Sequence, residues 1–124
     1  MNSKTDLGQF ISEKKRKKKL QSQELAKILG VSVPYLSQIE HGKRKCPDLQ
    51  LIKKMIEVFE LTMEETNVFY DLYAEASGQL SPDITEYLQS NKSAVKAIRA
   101  ARDASATDKD WERFIEFLNK NLST

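Results

Sequence analysis

Residues 21–45 read QSQELAKILGVSVPYLSQIEHGKRK, and this stretch decides the fold. Leu25, Ala26, Ile28 and Leu29 form the apolar side of a short helix from Ser22 to Leu29, and Gly30 suits the position after its C-terminus. Ser32 reads as the N-cap of the next helix, with Val33 and Pro34 in its first turn, where a missing N–H costs least. Leu36 and Ile39 point inward, and Gly42 stops the helix. Two short helices crossing steeply need a small residue at the crossing, a glycine able to take positive φ in the turn, and apolar residues behind the outer helix. Ala26, Gly30 and the pair Leu36 and Ile39 meet all three needs at compatible spacings.

Helical periodicity continues on both sides. Upstream, Leu7, Phe10 and Ile11 predict a first helix from Thr5 to about Lys19, ending in Lys14-Lys15-Arg16-Lys17-Lys18-Lys19, where cations face the negative end of the helix dipole. Downstream, Pro47 and Asp48 start a fourth helix carrying Leu49, Ile52, Met55, Ile56 and Phe59. Thr62-x-x-Glu65 is a capping box for a fifth, whose stripe is Phe69, Leu72, Tyr73 and Ala76 and which Gly78 closes. Ser81-Pro82-Asp83 then opens a short amphipathic segment with Ile84, Tyr87 and Leu88. An alanine-rich stretch with Val95, Ile98 and Ala101 on one side follows. Thr107-x-x-Asp110 caps the last helix, with Trp111, Phe114, Ile115, Leu118 and Leu122 on one stripe and Phe117 beside it. The expected fold class is all-α.

Composition narrows the function. The chain has 124 residues, 31% charged and 40% hydrophobic, and its net charge of +2 conceals a division. Residues 1–46 carry eleven Lys and Arg against four acids, a balance of +7, and the remainder balances at −5. Such asymmetry points to a polyanion-facing N-terminal half joined to something with another job. Neither a transmembrane span nor a secretory signal is visible, so a soluble, cytoplasmic protein is expected. Cys46 is the only cysteine, which excludes an internal disulfide and a cysteine-built zinc site. His41 and Cys46 alone are too few for a metal site, and no Ser/His/Asp set, glycine-rich phosphate loop or HExxH occurs. The expectation is therefore a non-enzyme without cofactor or metal.

The segment resembles the helix-turn-helix of the lambda-repressor-like, Xre-type family of bacterial and phage transcriptional regulators. The resemblance runs from Leu7-Gly8 through Leu20, Glu24-Leu25-Ala26, Leu29-Gly30-Val31-Ser32, Tyr35 to Glu40 and Gly42-Lys43-Arg44, to Pro47 and the fourth helix. It implies a five-helix bundle that binds operator DNA as a dimer and reads the major groove with its third helix. Two departures stand out. The family usually has Ser or Thr followed by Gln at the start of the second helix, where this chain has Gln21-Ser22. Pro34 occupies a position where relatives often place a base-reading polar side chain.

If the third helix enters the major groove, Val33, Pro34, Ser37 and Gln38 point outward near its start. Gln38 can pair with the N6/N7 edge of adenine, Ser37 can donate or accept, and Val33 or Pro34 can pack on a thymine methyl, which favours an A/T-containing half-site. Lys15, Lys19, Ser22, Tyr35, His41, Lys43, Arg44 and Lys45 are the candidate contacts to the DNA backbone. Each reading has a plainer counterpart: a solvated face for Gln38, a capping role for Val33 and Pro34, a half-buried packing position for Tyr35, and a solvated helix end for the lysine run.

A five-helix domain over residues 1–78 would be complete, which leaves residues 79–124 as a helical extension for dimerisation or partner binding. Trp111, Phe114, Phe117 and Leu118 are the candidate interface, because together they form more apolar surface than one exposed helix tolerates. The expected function is a sequence-specific DNA-binding transcriptional regulator, a repressor acting as a homodimer on a pseudo-palindromic operator. Two other readings compete with it. One is an antitoxin-like or adaptor protein whose C-terminal helices bind another protein, and the other is a nonspecific nucleic-acid binder. No membrane partner is expected.

Overall fold

The computed structural model describes residues 6–43 and 47–122, which form helices and no strand. In chain order these are α1 (Asp6–Lys17), α2 (Ser22–Leu29), α3 (Val33–Glu40), α4 (Leu49–Val58), α5 (Met63–Ser77), α6 (Pro82–Gln89), α7 (Lys92–Asp103) and α8 (Asp108–Asn121).

The helix ends follow from local chemistry. α1 stops at Lys17, short of the predicted Lys19. The N–H of Leu20 donates to the Lys15 carbonyl at 3.0 Å and that of Lys19 to the Arg16 carbonyl at 2.9 Å, with Lys19 left-handed at φ 57°. This closing pattern satisfies two orphan carbonyls and turns Leu20 back against the core. Thr5, the predicted start, lies outside the described residues. At the start of α2, Glu24 accepts the Gln21 N–H at 3.0 Å. α5 opens on the predicted capping box: Thr62 Oγ1 accepts from the Glu65 N–H at 3.1 Å and Glu65 Oε1 from the Thr62 N–H at 3.0 Å.

Two compact units divide at Thr85/Glu86. The first therefore runs past Gly78 into α6, where Thr85 donates its hydroxyl to the carbonyl of the buried Ser81 at 3.2 Å. Its core is built from one stripe per helix: Leu7 and Ile11, Leu25 and Leu29, Leu36 and Ile39, Ile52 and Met55, and Phe69, all at most 3% exposed. Phe10 stacks on Phe69 at 4.8 Å between ring centres, joining α1 to α5. Tyr73 reaches from α5 to donate its hydroxyl to the Pro47 carbonyl at 3.0 Å. Leu72 and Ala76 are half-buried against the same core.

The second unit holds α7 and α8. Neither helix has a fully buried residue. Its last helix is capped as the sequence indicates, with Thr107 donating its N–H to Asp110 at 2.9 Å, and the bonds from Thr107 hold the Asp110 carboxyl below its usual range.

Candidate nucleic-acid interface

The α2–α3 turn is set by three residues. Gly30 stands at φ +74°, and its N–H donates to the Lys27 carbonyl at 3.2 Å while Val31 donates to Ala26 at 2.9 Å. A Cβ on Gly30 would meet nothing within 4 Å, so the glycine is required by backbone conformation and not by packing. Ser32 then caps α3, its hydroxyl accepting from the Tyr35 N–H at 3.1 Å.

α3 has two unlike faces. Leu36, Ile39 and Glu40 are buried. Val33, Pro34, Ser37 and Gln38 are exposed and share the opposite face, since they lie one and four residues apart along the helix. The structure thus brings the four candidate base readers together on one surface. Tyr35 is half-buried and packs against the core.

The C-terminal end of α3 folds back on that surface. Gly42, at φ 73°, donates to the Ile39 carbonyl at 3.2 Å and Lys43 to the Gln38 carbonyl at 2.8 Å. The turn places Lys43 beside Ser37, Gln38 and His41, and the four line a cleft of about 270 Å³. His41 Nδ1 sits 2.8 Å from the Ser37 carbonyl oxygen and 3.4 Å from its hydroxyl. Arg44 and Lys45, the other proposed backbone clamps, and Cys46 lie outside the described residues.

The lysine run is divided between two uses. Lys14 is paired with Glu65, Lys15 with Glu40 and Lys18 with Glu60, so three of its six cations tie α1 and the turn after it to α5, to α3 and to the turn after α4. The hydrogen bond from Lys14 is the main reason that the Glu65 carboxyl is held down at about 2, with the Thr62 N–H adding to it. Lys18 likewise holds Glu60 below the usual carboxylate range. Arg16, Lys17 and Lys19 are exposed.

Lys15, expected on the DNA backbone, instead turns its ammonium inward. It lies 2.9 Å from Glu40 Oε1, as an ionic contact and not an aligned hydrogen bond, and donates to the Ser22 hydroxyl at 2.9 Å. Ser22, another backbone candidate, is half-buried as the first residue of α2 and accepts that bond. The lysine therefore joins α1, α2 and α3.

Glu40 is the residue that sequence reasoning missed. Its carboxylate is 7% exposed, and it lies four residues after Leu36 on the buried face. That spacing was the available signal: a carboxylate on an apolar stripe needs a cation to offset its desolvation. Gly8 is the other. A Cβ there would stand 2.0 Å from the Glu40 carbonyl oxygen, so α1 crosses α3 at backbone contact.

On the C-terminal unit, Trp111, Phe114 and Phe117 are exposed and Leu118 half-buried. The rings form a row, with 6.2 Å between the centres of Trp111 and Phe114 and 6.3 Å between those of Phe114 and Phe117.

These features define a domain in which a short outer helix is displayed on a tightly crossed bundle, and the comparison with known families agrees. Residues 11–65 match the family described as helix-turn-helix, and this segment is similar to the helix-turn-helix of the Xre, lambda-repressor-like type. Among solved structures, a chain from a SinR protein/SinI protein complex is similar at 23% sequence identity, over 95% of this chain and 99% of that one, with a TM-score of 0.47. A comparison with curated protein sequences gave no match. No helix among the described residues is long and apolar enough to cross a membrane.

Proposed function

We propose that this DNA-binding regulator is a cytoplasmic repressor that acts by binding and not by catalysis, as a homodimer on a pseudo-palindromic operator. The observation that carries the reading is the outward face of α3, where Val33, Pro34, Ser37 and Gln38 stand together with Lys43 at their edge. Gln38 and Ser37 would read base edges and the two apolar side chains would pack on thymine methyls. Lys43, His41 and the exposed Lys19 would meet phosphates, as would Arg44 and Lys45.

The second copy would dock on α8. Trp111 is 39%, Phe114 47% and Phe117 54% exposed, and the unit from Glu86 onward has no buried hydrophobic residue among those described. A helical pair of this size is too small to bury its own apolar stripe and needs a partner surface. Joining two copies would raise avidity by making the second engagement intramolecular, with the α3 helices about 34 Å apart. The same aromatic row favours a second reading, in which α8 takes a different protein and the chain is an adaptor or antitoxin-like.

Selection of binding sites from random duplexes tests the first part, because palindromy, spacing and base preference emerge together. Scattering mass tests the second: Phe114→Glu should convert a dimer to a monomer with α1–α5 still folded. A wild-type monomer both free and on DNA would rule out the homodimer and leave the adaptor reading.

A further inference from the structure

We infer that His41 makes DNA binding proton-linked, so that affinity for DNA rises as pH falls through the range in which an imidazole gains its charge. The inference rests on the reading of α3 as the helix that enters DNA. Its starting point is a hydrogen bond. A carbonyl oxygen can only accept, so the 2.8 Å contact between His41 Nδ1 and the Ser37 carbonyl requires the proton on Nδ1. The neutral ring therefore carries only a lone pair on Nε2, which makes no hydrogen bond to any described residue. In that state Nε2 offers a phosphate oxygen no donor. Protonation adds an N–H at Nε2 and a positive charge, which converts a neutral position into a phosphate contact without moving the ring.

The surroundings suit this role. His41 is the C-cap of α3 and lines the cleft with Ser37, Gln38 and Lys43, beside the base-reading candidates. Lys43 is the charged side chain that shares the cleft among the described residues, and α2 contributes none to it. Glu40, the preceding residue, turns its carboxylate to Lys15 of α1 and so does not neutralise the imidazolium. A bound phosphate would supply the missing negative charge, so DNA binding and proton uptake would favour each other. His41 is the only histidine in the sequence, so a proton taken up in this range has one imidazole to go to.

The test measures binding of the full chain to a duplex selected from random DNA, at about pH 6 and about pH 8 and over a range of salt. The wild type should bind about tenfold more tightly per bound copy at the lower pH, with a salt dependence steeper by up to about 0.9 log units per copy. His41→Gln should abolish the pH response whatever its absolute affinity. His41→Arg should show the steeper salt dependence at both values. A wild type whose affinity does not change with pH, or a His41→Gln variant that keeps the wild-type response, would overturn the inference. Failure of the wild type to bind duplex DNA at either pH would instead overturn the reading of α3 on which it rests.

Discussion

The carbonyl oxygen of Glu40 lies 2.0 Å from where a Cβ on Gly8 would stand, so α1 and α3 meet backbone to backbone at the end of α3. Gly8→Ala cannot be absorbed by a flexible side chain. It should destabilise the domain by about 1–3 kcal/mol, the usual cost of overpacking a tight crossing, as measured by urea unfolding. Gly30→Ala acts differently, through positive φ alone, and should cost about 1 kcal/mol. Equal stability of Gly8→Ala and wild type would show that the crossing is looser than described.

Lys15 and Glu40 lead to a second prediction, which separates structure from DNA contact. Lys15→Met leaves a nearly buried carboxylate without its cation and should lower stability by about 3 kcal/mol. Its effect on the salt dependence of DNA binding should be nil, because the ammonium is turned inward. Lys17→Met, at an exposed position, should leave stability within about 0.5 kcal/mol. If Lys15→Met instead flattened the salt slope at unchanged stability, the ammonium would belong to the interface.

The outward face of α3 should divide into reading and holding positions. Gln38→Ala is expected to weaken the preferred site by about 1–3 kcal/mol and to relax one base position. Lys43→Ala should weaken all sequences alike and reduce the salt slope by about 0.9 per bound copy. Competition binding against single-base variants of the selected site checks both, and an unchanged base preference in Gln38→Ala would remove it from the readout.

Acid stability should report the lysine run. The Glu65 carboxyl is held at about 2 in the folded chain, below its ordinary value of 4.5, chiefly by Lys14. A depressed folded value means that its stabilising contribution is complete above 4.5 and is lost as pH falls from there toward 2. Glu60 titrates in the same direction through Lys18. Glu65→Gln should therefore flatten the fall of the melting temperature across that window, as should Lys14→Met. A wild-type slope in both variants would place the acid sensitivity elsewhere.

Much of this molecule is legible in residue spacing. The α2–α3 unit is written in Ala26, Gly30, Ser32, Leu36 and Ile39, because each solves a local problem of crossing, turning, capping or burial. The face of α3 that carries Val33, Pro34, Ser37 and Gln38 follows from the same period. The lysine run was harder. Six adjacent cations look like one solvated or phosphate-facing patch, yet Lys14, Lys15 and Lys18 pair with acids 51, 25 and 42 residues away. Period along a single helix carries no information about such partners.

The sequence by itself therefore determined the helices, most of their caps and the outward face of α3, since these depend on interactions within a few residues. Tertiary structure decided which cations remain exposed and how α3 is held: Gly8 admits the Glu40 backbone, and Lys15 closes on its carboxylate. Desolvation is the physical reason. Once Leu36 and Ile39 are packed inside, Glu40 goes with them, and a carboxylate taken out of water draws in the cation that the folded chain brings within reach.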